Sequence, residues 1–369
     1  MAAGQPKLGR DDTSAPFARR RLAEADDMNR RSLLGVLGVA SAVLAAPVDW
    51  ERLAAGAGSE TVDTATVGQY ALINQRLWWD YNAAAVKADV FQVVRRHLDA
   101  LLRGVRLART EAVRGQLYRM SSEVLQLLGE ILFDSDDYAA AASCYTIAAS
   151  FGKEAAAHDL WACALTRHAY LDIYTQQHDA AIPLLEAAGE LAKKGDPQLA
   201  TRYWVASVHG HALAALGDSY RWERTVEFVQ GVQQLNSPSS AGWLRFDGGR
   251  LDEERGHCLV LLGQVDRAEN TVLPVLEQPL SARRRAGVIV DAAAIAALHR
   301  DPVQLVQYGT IALDAAQRSR SGYLYRRLYD LRERMDPFRE DAHVRHLDNA
   351  IASLASPTTT RRDLAARRH

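Results

Sequence analysis

Apolar residues recur every three to four positions along almost the whole chain, and no run alternates with the period of a strand. The pattern predicts an all-α protein. Short breaks such as Gly217-Asp218-Ser219 and the stretch LGQVD, Leu262 to Asp266, separate the helices. The pattern also repeats. In LQLLGEILFDSDDYAAAASCYTIAA, Leu125 to Ala149, Leu125, Leu128, Gly129 and Leu132 lie on one helix, and Ala141, Tyr145 and Ala148 on the next. Gly129 and Ala141 have little or no side chain, so two antiparallel helices can approach closely there while the leucines and Tyr145 fill the surrounding space.

Four further units follow the same plan. Ala169 and Ala181 mark the next. Gly210 marks the one after, where Trp222 stands in place of the second small residue. Gly256 and Ala268 mark a fourth, and Ala293, followed by the turn His299-Arg300-Asp301-Pro302, marks the last. The small residues at 129, 169, 210, 256 and 293 are separated by 40, 41, 46 and 37 positions. An earlier helix pair is expected over Val67 to Tyr81 and Val86 to Arg103, with closing helices over Arg326 to Met335 and Asp341 to Leu354.

This unit resembles the tetratricopeptide repeat, although every spacing exceeds that repeat's 34 residues. The resemblance implies a tetratricopeptide-like α-solenoid of about six helix pairs, whose concave face is lined by the first helix of each pair. Mapping the repeat family's groove-facing positions onto the small-residue markers gives Glu130, Tyr170, His211 and His257 as one recurring position. Arg167, Trp204, Arg250, Glu253 and Glu254 belong to the same rows. Rings, carboxylates and guanidinium groups on one face suit a protein or peptide ligand. For each residue alone, an ordinary solvated inner-helix position is the competing reading.

Two longer stretches are similar to a more specific group. WLRFDGGRLDEERGHCLVLLGQVDRAE, Trp243 to Glu269, and Tyr308 to Leu354 resemble actinobacterial regulators of the Xre/Cro helix-turn-helix class. In that class a DNA-binding domain precedes a tetratricopeptide-like region. The resemblance extends from about Met28 to Leu354 and implies a cytoplasmic regulator or sensor. A helix-turn-helix domain needs several mutually braced helices, whereas Met1 to Asp27 carries Gly4, Pro6, Gly9 and Pro16 among mixed charges. Direct DNA binding is therefore not expected from this chain.

The stretch MNRRSLLGVLGVASAVLAAP, Met28 to Pro47, supports two readings. Arg30-Arg31 followed by an apolar run has the layout of a twin-arginine export signal, which would make the protein an exported scaffold. The match is loose and no A-x-A site directly follows the run. By resemblance, the same stretch is an apolar helix capping the solenoid. The expected divisions are a disordered segment at 1–27, an apolar helix and linker at 28–60, the repeat domain at 61–355 and a basic flexible tail at 356–369.

Bulk properties narrow the classes. The 369 residues are 48% hydrophobic and 24% charged, with net charge −1. That balance argues against a chain-wide nucleic-acid surface, and no stable membrane insertion is expected. Cys144, Cys163 and Cys258 are odd in number and far apart, so they read as small buried residues rather than a disulfide or zinc framework. No nucleotide-binding loop, nucleophile elbow or zinc signature occurs, so no cofactor, no metal and no enzymatic activity are expected. His343 and His346 could share a cation by spacing, but Arg339 and Arg345 stand beside them, which favours a solvated face. Trp78, Trp79 and Tyr81 are expected to pack the first core layer, with an exposed patch as the alternative. A homodimer remains open.

Overall fold

The computed structural model describes residues 64–235, 242–244, 246 and 248–354. The expected segments at 1–27 and 28–60, and the tail at 356–369, lie outside the described residues. The described chain is all-helical, with fourteen α-helices that pack against their neighbours in sequence order. They are α1 (Thr64–Ala83), α2 (Phe91–Leu107), α3 (Glu111–Asp134), α4 (Tyr138–Glu154), α5 (His158–Tyr174), α6 (His178–Ala192) and α7 (Thr201–Ala215). The second half has α8 (Ser219–Val229), α9 (Leu251–Leu261), α10 (Val265–Leu276), α11 (Ala282–Leu298), α12 (Pro302–Ser319), α13 (Gly322–Leu331) and α14 (Ala342–Ala352). Fourteen helices make seven consecutive pairs, because the earlier pair and the closing pair both form in addition to the five marked units.

The register of the five marked units is visible in the backbone. Asp136, Gln176, Gly217, Gly263 and Arg300 all have positive φ, between 59° and 76°. Each stands seven residues after its marker at 129, 169, 210, 256 or 293, just beyond the end of α3, α5, α7, α9 or α11. The amide that follows each one bonds back to a carbonyl five residues earlier, as in Asp137 N to Leu132 O (2.9 Å) and Asp301 N to Ala296 O (2.9 Å). This left-handed closure satisfies the last carbonyls of the helix and turns the chain sharply. Caps set the next helix going: Asp137, Asp218 and Asp301 accept from amides in the first turns of α4, α8 and α12.

The small residues act as expected. A Cβ on Gly129 would overlap the Tyr145 ring, and one on Gly256 would meet Val272 Cγ2. In the third unit the exchange is reversed. Gly210 leaves space beside Trp222, which is 1% exposed, so one missing side chain admits one large one. Trp78 and Tyr81 are fully buried, whereas Trp79 is 59% exposed with the Arg76 guanidinium stacked on it. All three cysteines are buried and free.

The later helices return to the earlier ones. Asp134, at the end of α3, is 3% exposed and accepts from Ser321 Oγ (2.6 Å) and Arg283 Nη2 (2.7 Å). Arg283 also donates to Tyr81 on α1 (3.3 Å) and stacks on Tyr323. A Cβ on Gly322 would lie 2.8 Å from the Asp134 carbonyl, so only glycine permits this approach. These contacts clasp α11 and α13 against α3 and α1. The helical array therefore curves until its two halves touch across the inner face.

Candidate functional site

Eight of the nine residues assigned to the inner face separate into two groups, and Glu253 stands apart. The first centres on Arg167 of α5, which is 3% exposed. Its Nη1 donates to Gln126 Oε1 (2.6 Å) and its Nε to Glu130 Oε1 (3.1 Å), both on α3. Its Nη2 donates to the Trp243 carbonyl (2.7 Å), ahead of α9. The guanidinium also stacks on Trp204 of α7, 4.8 Å from the ring centre. Trp243, Leu244 and Phe246 are buried in the apolar cluster of the first half. Arg167, itself held by Glu130 and Trp204, thus fastens Trp243 to α5. A buried guanidinium with every side of its fork engaged has little capacity for a ligand.

Glu253, on the first turn of α9, is drawn into an ion pair with Arg284 of α11, whose Nε lies 2.9 Å from Oε1. Arg284 also donates to the Gly249 carbonyl (2.8 Å).

The second group gathers residues from five helices. Tyr170 and Tyr174 stack on α5, with ring centres 5.5 Å apart. The Tyr170 ring meets His211 of α7 edge-on, and His211 meets His257 of α9 the same way with centres 4.7 Å apart. His257 Nδ1 lies 2.8 Å from Asp291 Oδ1 on α11, and Arg327 of α13 bonds to that same carboxylate oxygen. Tyr323 approaches Tyr174 and accepts from Arg327 (3.0 Å).

Helical spacing explains the convergence. Tyr170 and Tyr174 are one turn apart, as are Arg250, Glu254 and Cys258, and Tyr323 and Arg327. Each first helix of a pair therefore presents one row inward, and the curvature brings the rows together. A shallow, half-open crevice between α7, α8 and α9, lined by Ser207, Gly210, Trp222, Leu251, Glu254 and Arg255, also reaches Glu254.

The electrostatics follow from burial. Burial would raise the Asp291 carboxyl, but Arg327 and His257 outweigh it and hold it at about 2. Asp291 is thus a fixed anion sandwiched between two partners. Burial, with His257 and Arg327 nearby, pushes His211 well below its ordinary value, so its ring is neutral. Burial raises Glu254, partly offset by Arg250. It also raises the phenols of Tyr170 and Tyr174 and the Cys258 thiol.

Several polar atoms here have no partner. His211 is 6% exposed, and its Nδ1 makes no hydrogen bond; neither does Arg250 Nε. Each such buried atom costs about 1–3 kcal/mol unless a ligand or water meets it.

Sequence reasoning missed Gln126, Tyr174, Asp291, Tyr323 and Arg327. Asp291 had a visible signal, a single acid within the apolar run VIVDAAAIAAL. Arg327 had none, because it lies among the surface arginines of the closing segment. His343 and His346 are both exposed on α14, away from this group. Among the described residues no cluster of three His, Cys, Asp or Glu side chains could hold a metal ion. Among them also, no helix is long and apolar enough to cross a membrane. No protein-family model matches the chain, and no curated protein matches its sequence.

Proposed function

We propose that this chain is a non-enzymatic helical-repeat protein that binds a protein or peptide on its inner face, in a cytoplasmic regulatory or sensor role. The observation that carries the reading is the convergence of Tyr170, His211, Arg250, Glu254 and His257, with polar atoms of His211 and Arg250 left unpartnered. Proteins pair their buried polar groups almost completely, so orphaned ones at the meeting point of several helices suit a ligand. The His257–Asp291 pair supports binding better than catalysis. Arg327 shares the carboxylate, and burial keeps the adjacent Cys258 in its thiol form. The regulatory role rests on the resemblance of Trp243–Glu269 and Tyr308–Leu354 to the Xre/Cro-class regulators.

Selection of a displayed peptide library on the full chain tests the reading. Tyr170→Ala with His257→Ala should abolish retention of selected peptides while leaving the circular dichroism spectrum unchanged. Asp291 and Arg327 still pair with each other in that variant. Retention unaffected by the double change would move the site elsewhere. The export alternative rests on Arg30-Arg31 and the apolar run after it. N-terminal sequencing of protein from cells decides that point, since cleavage after the alanine-rich stretch would establish export.

A further inference from the structure

Four carboxylates of the inner helices can be compared directly. Asp291 is engaged by His257 and Arg327, Glu253 by Arg284, and Glu130 by Arg167 and Tyr145. Glu254 differs. It is part-buried and feels the charges of Arg250, His257 and Arg327, yet it accepts no hydrogen bond among the described residues. Arg250 stands one turn before it and makes no ion pair with it or with another described residue, and its Nε is unmatched. Positions four apart on a helix hold their Cβ atoms about 6 Å apart. An acceptor and a donor thus stand side by side, one turn apart, and neither engages the other. His211, nine-tenths buried and neutral, carries another unmatched polar atom, Nδ1, where its ring meets Tyr170 and His257.

We propose that this pair receives a free N-terminal α-amine. The ammonium sits on the Glu254 carboxylate, and the first backbone carbonyl accepts from Arg250. The inference rests on the peptide-binding reading above and specifies the part of the ligand that enters. Two arguments select the amino end. An α-ammonium has a carbonyl two bonds away, which matches an acceptor beside a donor; a lysine ammonium has none. A C-terminal carboxylate on Arg250 would meet the like charge of Glu254. The Tyr170 and Tyr174 rings, beside His211, would meet the first side chain. A free amino acid offers the same ammonium, so it is a second source of the same chemistry.

The test is equilibrium dialysis with mass-spectrometric readout on the full chain, using a mixed hexapeptide library. The library is presented with free termini, N-acetylated, or C-amidated, and a mixture of the twenty free amino acids forms a fourth arm. The expected result is retention of peptides that falls at least tenfold on acetylation and is unchanged by amidation. Glu254→Gln, nearly isosteric, should abolish that preference with helical content intact. Retention of free amino acids, lost in Glu254→Gln, would support the ammonium site and assign it to the smaller ligand. Peptides retained equally after acetylation, or lost on amidation, would overturn the N-terminal assignment while leaving peptide binding standing. No retention in any arm would overturn both.

Discussion

Arg167 and Arg250 face the same interior from neighbouring rows of helices, yet their surroundings are opposite. Arg167 has three hydrogen-bonded partners and a tryptophan beneath it. Arg250 has an unmatched Nε and a carboxylate one turn away that it does not reach. The same contrast separates Asp134, shared by Arg283 and Ser321, from Glu254, which accepts nothing among the described residues. Saturated polar groups close the fold; unsaturated ones leave free-energy differences that a ligand can satisfy. Charge type does not tell the two apart, but the count of partners does.

The contrast can be broken by substitution, and the largest effect is expected at the clasp. Asp134→Ala leaves the part-buried Arg283 without its counter-charge and should lower stability by about 2–4 kcal/mol. Urea denaturation measures it, and a change below about 0.5 kcal/mol would mean the clasp does not hold the halves together. Arg167→Met comes next. It deprives Gln126 Oε1 and the Trp243 carbonyl of their donor and removes one of the donors to Glu130, and a loss of about 2–3 kcal/mol is expected. Faster proteolysis near Trp243 should accompany it.

A pH effect of intermediate size is expected in the first three helices. His97 lies 2.7 Å from Asn74 Oδ1, and Asn74 donates to Glu123 Oε2 (2.9 Å). Burial raises Glu123 to about 7 and lowers His97 to about 4. The folded state therefore holds the Glu123 proton longer than the unfolded chain does. That contribution is full below pH 4.5 and is lost as pH rises through about 7. His97 acts oppositely: its contribution is present above pH 6.5 and is lost as pH falls through about 4. Glu123→Gln keeps the acceptor and removes the titration. It should stabilise the protein by about 1–3 kcal/mol at pH 8 and much less at pH 5. Equal effects at both pH values would show that Glu123 does not titrate in this range.

The smallest effect sharpens the comparison most. His211→Leu replaces a buried ring that has an unmatched nitrogen, so stability should stay within about 1 kcal/mol of the parent or rise. Peptide retention should fall in the same variant. A loss as large as that of Arg167→Met would place His211 with the closing contacts rather than with the site.

Much of this architecture was legible beforehand. The five small-residue markers predicted their units so closely that the left-handed turn residue recurs seven positions after each one. Trp222 illustrates a local departure that remained readable, since Gly210 opposite it leaves the space. The candidate site was legible as a set of rows but not as a set of partners. Tyr170, His211 and His257 do meet. Nothing in their spacing showed that Asp291 and Arg327 would complete the group, or that Trp243 would occupy Arg167.

The sequence by itself determined the helices, their turns and their repeat register, because caps, small residues and a 3.6-residue period act within one unit or between adjacent ones. The tertiary structure alone decided which inner groups are saturated. That outcome depends on how far the array curves, and curvature accumulates from the second pair to the seventh until Asp134 reaches Arg283 and Ser321, separated from it by 149 and 187 positions. Small angular increments at each interface sum to a contact that no local pattern encodes.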